Sequence, residues 1–175
     1  MSNPLKSSMF AAFNDIYSAA DANTEGSAAG WRPEAGDHAV LVTGMVADQG
    51  EFKQKDGQVF PSNLLYFTYQ MIEDPGSPAE PRSFRGKTFN LPNNPSQLTD
   101  DGAKTRMRID LERLKGHLRT VLGTSANNLA ADMEAASKKL ANGVPTPVKL
   151  RAKYDASRDG KTLYFTEFLV GQLMG

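Results

Sequence analysis

The spacing of apolar residues along this chain changes period twice, from two to about 3.6 and back to two, and this restricts the folds open to it more than any other feature. Residues 38–47 (HAVLVTGMVA) place Val40, Val42 and Val46 on one side of a strand, with Gly44 between them as a point of bend or bulge. Residues 48–62 hold Gly50, Asp56-Gly57 and Pro61 and read as a loop or loose hairpin. The clearest strand is 63–72, where Leu65, Phe67, Tyr69 and Met71 face one way and Tyr66, Thr68 and Gln70 the other. After a turn at 73–81, residues 82–91 (RSFRGKTFNL) make a third strand whose phase breaks at Gly86. Met107, Leu111, Leu114, Leu118 and Val121 then recur at helical spacing over 103–122, with Gly123 as the stop signal. A second helix over about 127–141 presents Leu129, Met133, Ala136 and Leu140. Strands at 147–154 and 162–170, joined through the Asp159-Gly160 turn signal, close the chain.

Three strands, a helical insert and a closing hairpin predict a mainly β fold: a five-stranded OB-type β-barrel with the helical insert between strands 3 and 4. An α+β sheet with one helix layer has the same order of elements. Ahead of the strands, residues 5–20 pattern as an amphipathic helix, with Met9, Phe13, Ile16, Tyr17 and Ala20 on one face. Residues 21–36 read as a linker whose Trp31 folds back onto the core. The expected organisation is an N-terminal extension over 1–35 and a binding domain over 36–175.

Several functions are excluded by what the sequence lacks. With no cysteine there is neither a disulfide framework nor a thiolate metal site. The only histidines, His38 and His117, lie far apart in sequence, and no spacing argues for zinc. The acidic pairs Glu73-Asp74 and Asp100-Asp101 read as turn and helix-capping residues rather than metal ligands. No apolar run approaches the ~20 residues that span a bilayer, and the opening MSNPLKSSMF lacks the pattern of a secretory signal, so the expected location is the cytoplasm. Neither a phosphate-binding P-loop, a dinucleotide-binding glycine turn, a nucleophile elbow nor a zinc-protease helix is present. The reading is a protein that is not an enzyme and uses no cofactor.

The formal net charge is zero, yet it is unevenly distributed. Residues 1–81 carry 4 basic and 11 acidic side chains, whereas residues 82–119 carry 9 basic and 4 acidic. A polyanion responds to the local field rather than the total. Single-stranded nucleic acid is held by a basic groove interleaved with aromatic rings on which bases stack. In an OB-fold that surface is the strand 2–3 face with the loops joining strands 1–2 and 4–5. Phe52, Lys53 and Lys55 fall in the first loop, and Tyr66 on the polar side of strand 2. Arg82, Phe84, Arg85 and Lys87 fall in strand 3, and Tyr154, Arg158, Lys161 and Tyr164 at the last hairpin. Phe52 and Tyr66 are the expected stacking platforms, while Phe67, Phe89, Phe165 and Phe168 are expected to fill the barrel.

The runs EFKQKDGQVFPSNLLYFTYQMI, FRGKTFNLPNNP, LERLKGHLRTVLG and LANGVPTPVKLRAKYDASRDGKTLYFTEFLV together resemble a family of bacteriophage single-stranded-DNA-binding proteins, over about residues 36–172. The resemblance implies an OB-fold that coats replication or recombination intermediates, with Lys53, Lys55, Arg85 and Lys87 on the DNA strand. Its implied partners are single-stranded DNA and replication or recombination proteins. Where that family carries an acidic tail, this chain reads VGQLMG, and residues 1–35 lie outside the shared pattern. They are read as a displaced acidic partner surface or as a homo-oligomerisation arm. The alternative function is a phage structural or assembly protein that uses the β-barrel as an interaction module.

Overall fold

A computed structural model describes residues 30–72 and 81–173. The helix expected over 5–20, the linker as far as residue 29 and the turn at 73–80 lie outside them. The element around which the rest is arranged is β1 (Gly36–Lys53). On one side it pairs antiparallel with β2 (Val59–Met71), from Val40 to Lys53. On the other it pairs with β5 (Thr146–Ala156), from Gly36 to Val42. The far edge of β2 carries two short strands, β3 (Ser83–Arg85) and β4 (Phe89–Pro92), and β5 pairs with β6 (Leu163–Gln172). Between β4 and β5 lie a 3-10 turn at Pro95–Gln97, α1 (Asp101–Leu122) and α2 (Leu129–Ala141). The described residues therefore form a mainly β fold, a six-stranded antiparallel sheet with two helices.

The expected periodicities are seen in the buried faces. Leu65, Phe67, Tyr69 and Met71 of β2 are buried, alternating with half-buried Tyr66, Thr68 and Gln70. They meet Val40 and Val42 of β1, Val148, Leu150 and Ala152 of β5, Phe165 of β6, and Leu114, Leu118 and Val121 of α1. The start of α1 is fixed by Asp100, whose side chain accepts the Gly102 N–H at 2.9 Å, and its end by Gly123 in the left-handed conformation at φ 75°. Trp31 packs back on the core, edge to face with Phe84 at 5.8 Å, so the packed unit already includes residues 31–33.

Three expectations need correction. Of the two alternatives for residues 48–62 the hairpin holds and the loop does not: only Gln54–Gln58 turn, and the β1–β2 hairpin continues on both sides of them. Its polar, glycine-containing sequence hides an alternation that becomes structural where β4 pairs with Ser62–Leu65 and Phe52 and Phe60 pack with Leu98 and Ala103. Val46 does not share the inward side of Val40 and Val42. A bulge at Thr43 shifts the register, and one extra residue sends every following side chain to the opposite face, leaving Val46 41 % exposed. The third correction concerns closure. The strand expected over 82–91 is two strands separated at Gly86–Thr88, and the sheet runs β3-β2-β1-β5-β6 with no backbone ladder from β6 back to β3 or β4. By its ladders the sheet is open rather than a closed five-stranded barrel.

Side chains bridge the seam that the ladders leave open. Glu167 of β6 is fully buried; its Oε1 accepts the Lys87 N–H at 2.8 Å and the Arg113 guanidinium at 2.9 Å. Its Oε2 accepts the Tyr69 hydroxyl at 2.7 Å and lies 3.4 Å from Nε2 of His117. Arg113 also donates to the Lys87 carbonyl, and Arg32 donates to the carbonyls of Arg85 and Gly86 while lying 4.5 Å over the Phe165 ring. Backbone groups of three consecutive residues, 85 to 87, thus find their partners in side chains. Gly86 makes this possible, because a Cβ there would lie 1.7 Å from Glu167 Oε2. Burial opposes ionisation of Glu167, but the His117 ring beside it, the Arg113 charge and the Tyr69 hydrogen bond together hold its carboxyl below the usual range. Burial and the Glu167 charge raise the Tyr69 phenol well above its ordinary value, so it remains a donor.

Two outcomes follow for the seam. Gly86→Ala forces Glu167 out of register and destabilises the fold by about 1–3 kcal/mol or more in denaturant unfolding. Glu167→Gln leaves the buried Arg113 uncompensated and costs about 3–5 kcal/mol at neutral pH. Because the folded-state pKa of Glu167 is lowered, its contribution is complete above the ordinary glutamate pKa of ~4.3 and is lost as pH falls through the lower folded value. Melting temperature against pH should therefore fall less steeply in this acid window for Glu167→Gln than for the wild type. Identical acid limbs would rule out Glu167 as the carboxylate responsible.

Candidate nucleic-acid interface

The strand registers spread the residues expected to bind over several places rather than one groove. The outward side of the β1–β2–β3 sheet is set by the pairs Val46 with Tyr66, Thr68 with Arg85 and Gln70 with Ser83. Thr43 and Thr68 exchange a hydroxyl hydrogen bond of 3.0 Å on the same side. On this face Arg85 lays its guanidinium over the Tyr66 ring, 4.9 Å from the centroid. Both residues are half-buried, and the ring and the planar cation support each other. Arg85 has no carboxylate partner among the described residues, and its Nε is buried without a hydrogen bond.

Other residues expected to bind lie apart from this pair. The exposed side chain of Arg82 stacks 3.8 Å over Trp31, at the packed start of the described chain. Lys87 is exposed, but its backbone is held by Glu167 and Arg113 at the seam. There it lines a cleft of about 410 Å³ with Ile109, Lys153 and Phe168. Lys53 and Lys55 are exposed at the β1–β2 turn. Arg158 and Lys161 are exposed at the β5–β6 turn, whose shape is fixed by Asp159 accepting from Ser157 and from the Lys161 N–H. Since Ala152 pairs with Gly36 and Thr146 with Val42, the β5–β6 turn lies beyond the start of β1 and the β1–β2 turn beyond its end. The two turns flank the sheet face from opposite ends.

For the aromatic residues the structure changes several assignments. Phe52, expected as a stacking platform, is buried against Leu98 and Ala103, because it lies on the strand rather than in a loop. Phe84 points inward, edge to face with Trp31 and 5.2 Å from Tyr69. Neither presents a face to a base. Tyr154 is half-buried, edge-on to Phe165, and its hydroxyl donates to the Pro33 carbonyl at 2.7 Å. Tyr164 is 53 % exposed, and Phe168, expected in the core, is 40 % exposed on the same outward side of β6. The inward positions of β6 belong to Phe165 and Glu167, which leaves Phe168 outside.

Sequence reasoning missed Gln54, Arg106 and the outward cations of β5. The latter are partly neutralised, since Lys149 and Arg151 share Asp37 at 3.3 and 2.9 Å and Lys153 lies 3.8 Å from Asp155. Gln54 had no distinct signal, because a polar residue between two lysines in a polar stretch reads as solvated. Arg106 had none, because nothing in its own stretch of helix points to the β1–β2 turn. Among the described residues no group of three or more His, Asp or Glu side chains is placed to hold a metal ion, and no helix is long and apolar enough to cross a membrane. Asp100 is engaged by the N–H groups of Gly102 and Lys55, which keep its carboxyl below the usual range.

The new positions of Phe52 and Tyr66 give opposite expectations for stability. Phe52→Ala should cost about 3–5 kcal/mol through the cavity it leaves in its cluster. Tyr66→Ala, on the outer face, should move the melting temperature far less. Equal loss in the two variants would overturn the assignment of faces. Among known proteins, no family model, no curated sequence and no solved structure matches the chain.

Proposed function

We propose that the protein binds single-stranded DNA with little sequence preference, on the outward face of β1, β2 and β3 and on the turns that flank it, without catalysing a reaction. The observation that carries this reading is the Arg85–Tyr66 pair: a half-buried cation without a carboxylate partner among the described residues, stacked on an aromatic ring in the middle of a polar sheet face. The guanidinium plane stacked on this ring offers a base a flat surface, and its unused donors offer an adjoining phosphate hydrogen bonds. Lys53 and Lys55 at one end of the face, and Arg158 and Lys161 at the other, extend positive charge along a strand crossing it.

The strand order supports an OB-type barrel beneath this face. β1 sits between β2 and β5, as the first strand of such a barrel does, and β6 meets the third-strand pieces through Glu167, Arg113 and Arg32 in place of a ladder. On this reading the protein coats exposed single strands during phage DNA replication or recombination, in the host cytoplasm. The exposed Tyr164, Phe168 and Val170 of β6 favour a second reading, in which the β6 face is a protein-interaction surface.

A titration of labelled oligothymidine at several salt concentrations tests the first reading. Tyr66→Ala should weaken binding by about 1–3 kcal/mol with its melting temperature nearly unchanged. Arg85→Ala should lower the slope of log affinity against log salt by about 0.7, the value for one phosphate contact on a single strand. Wild-type protein that fails to bind, or whose affinity ignores salt, would overturn the proposal and leave the interaction-surface reading.

A further inference from the structure

The β1–β2 turn is built into the fold rather than left as a free tip. Gln54 is 2 % exposed; its Oε1 accepts the N–H groups of Thr99 at 2.9 Å and Asp100 at 3.1 Å, while its amide donates to Gln58. Asp100 in turn accepts the Lys55 N–H, and Arg106 donates to the Lys53 carbonyl at 2.8 Å. Beneath these bonds lie Phe52, Leu98 and Ala103, with Phe60 and Met107 packed on them. The turn is thereby fixed to the first turns of α1 by a buried amide and a small apolar cluster of its own.

The outward side of this joint is a basic cleft. Lys53 and Lys55 point out because Phe52 and Gln54 point in, and Arg106 lies 5.0 Å over the Phe52 ring. Lys53, Gln54, Lys55 and Arg106, with Asp100 and Gly102, line an open cleft of about 700 Å³. Among the described residues no carboxylate forms an ion pair with any of the three cations; Asp100 feels the Lys55 charge, but its hydrogen bonds go to backbone N–H groups, so positive charge remains in excess in the cleft. Arg106 uses one donor on the Lys53 carbonyl, and a guanidinium has five. The lining contains no apolar side chain to anchor a peptide. A phosphodiester strand, which needs cations and no apolar pocket, is the better fit.

We propose that Lys53, Lys55 and Arg106 form a phosphate-binding subsite for single-stranded DNA, with Gln54 as the positioning residue that fixes the turn against α1. The inference rests on the nucleic-acid reading above and extends the track from the sheet face to a helix. Holding the turn before the ligand arrives reduces the ordering cost of binding.

The test is a salt series of oligothymidine titrations on the full chain, with melting temperatures measured in parallel. Arg106→Ala should lower the log–log salt slope by about 0.7, which is about an eightfold loss of affinity at 50 mM salt that vanishes towards 1 M. Arg108→Ala, an exposed cation two positions along the same helix and outside the cleft, should keep the wild-type slope. Gln54→Ala retains all the cations, so it should lose affinity at every salt concentration with its slope preserved. Equal slopes for Arg106→Ala, Arg108→Ala and wild type, alongside a reduced slope for Arg85→Ala, would overturn the subsite and leave the sheet-face reading standing. Absence of wild-type binding would overturn both.

Discussion

The buried carboxylate of Glu167 is where the two ends of the sheet meet. A sheet whose outer strands face one another must join by a ladder or leave rows of polar groups without partners, and unpaired backbone groups away from water are costly. Here the joint is made by side chains. Glu167 takes the Lys87 N–H, Arg113 takes the Lys87 carbonyl, and Arg32 takes the carbonyls of Arg85 and Gly86. Such a joint depends on complete satisfaction of its charges, because a buried ion helps only when its partners remain in place. Tyr69 and Arg113 supply partners from β2 and α1, so one residue of β6 ties three parts of the fold together.

The same joint determines which surface is on offer. The seam groups are consumed from within, so the opposite side of β3 is free to display Arg85, and the core beneath β2 holds Tyr66 at the surface by burying its neighbours Leu65 and Phe67. The β1–β2 turn has a separate foundation. Its apolar cluster is distinct from the main core, and the Gln54 amide connects it to α1. Two independently supported places, a ring–cation pair on the sheet and a cluster of cations at the turn, thus lie along one hairpin.

Much of the fold was legible in the sequence. The alternation of β2, the helical spacing of Leu114, Leu118 and Val121, the Asp100 and Gly123 caps and the final hairpin all depend on local pattern, and all stand where that pattern puts them. Of the candidate site, local pattern gave the outward side of Tyr66 and the cations at the turns. It misjudged Phe52 and Phe84, which are interior, and Phe168, which is not. These errors share a cause. Which side of a strand is inside depends on register, and a bulge at Thr43, a break at Gly86 and an inward glutamate at 167 each reset the relation between spacing and burial.

The sequence by itself determined the order of strands and helices, the inner face of β2 and the concentration of positive charge after residue 81. Periodicity and composition act over a few residues and are written in the chain. Only the tertiary structure decided that Glu167 would meet Gly86, that Gln54 would face Thr99 and that Arg106 would lie over Phe52. Those meetings join residues 45 to 81 positions apart. A buried polar residue in a strand looks like a solvated one until the fold brings its partners to it, and that is a property of contacts at long range.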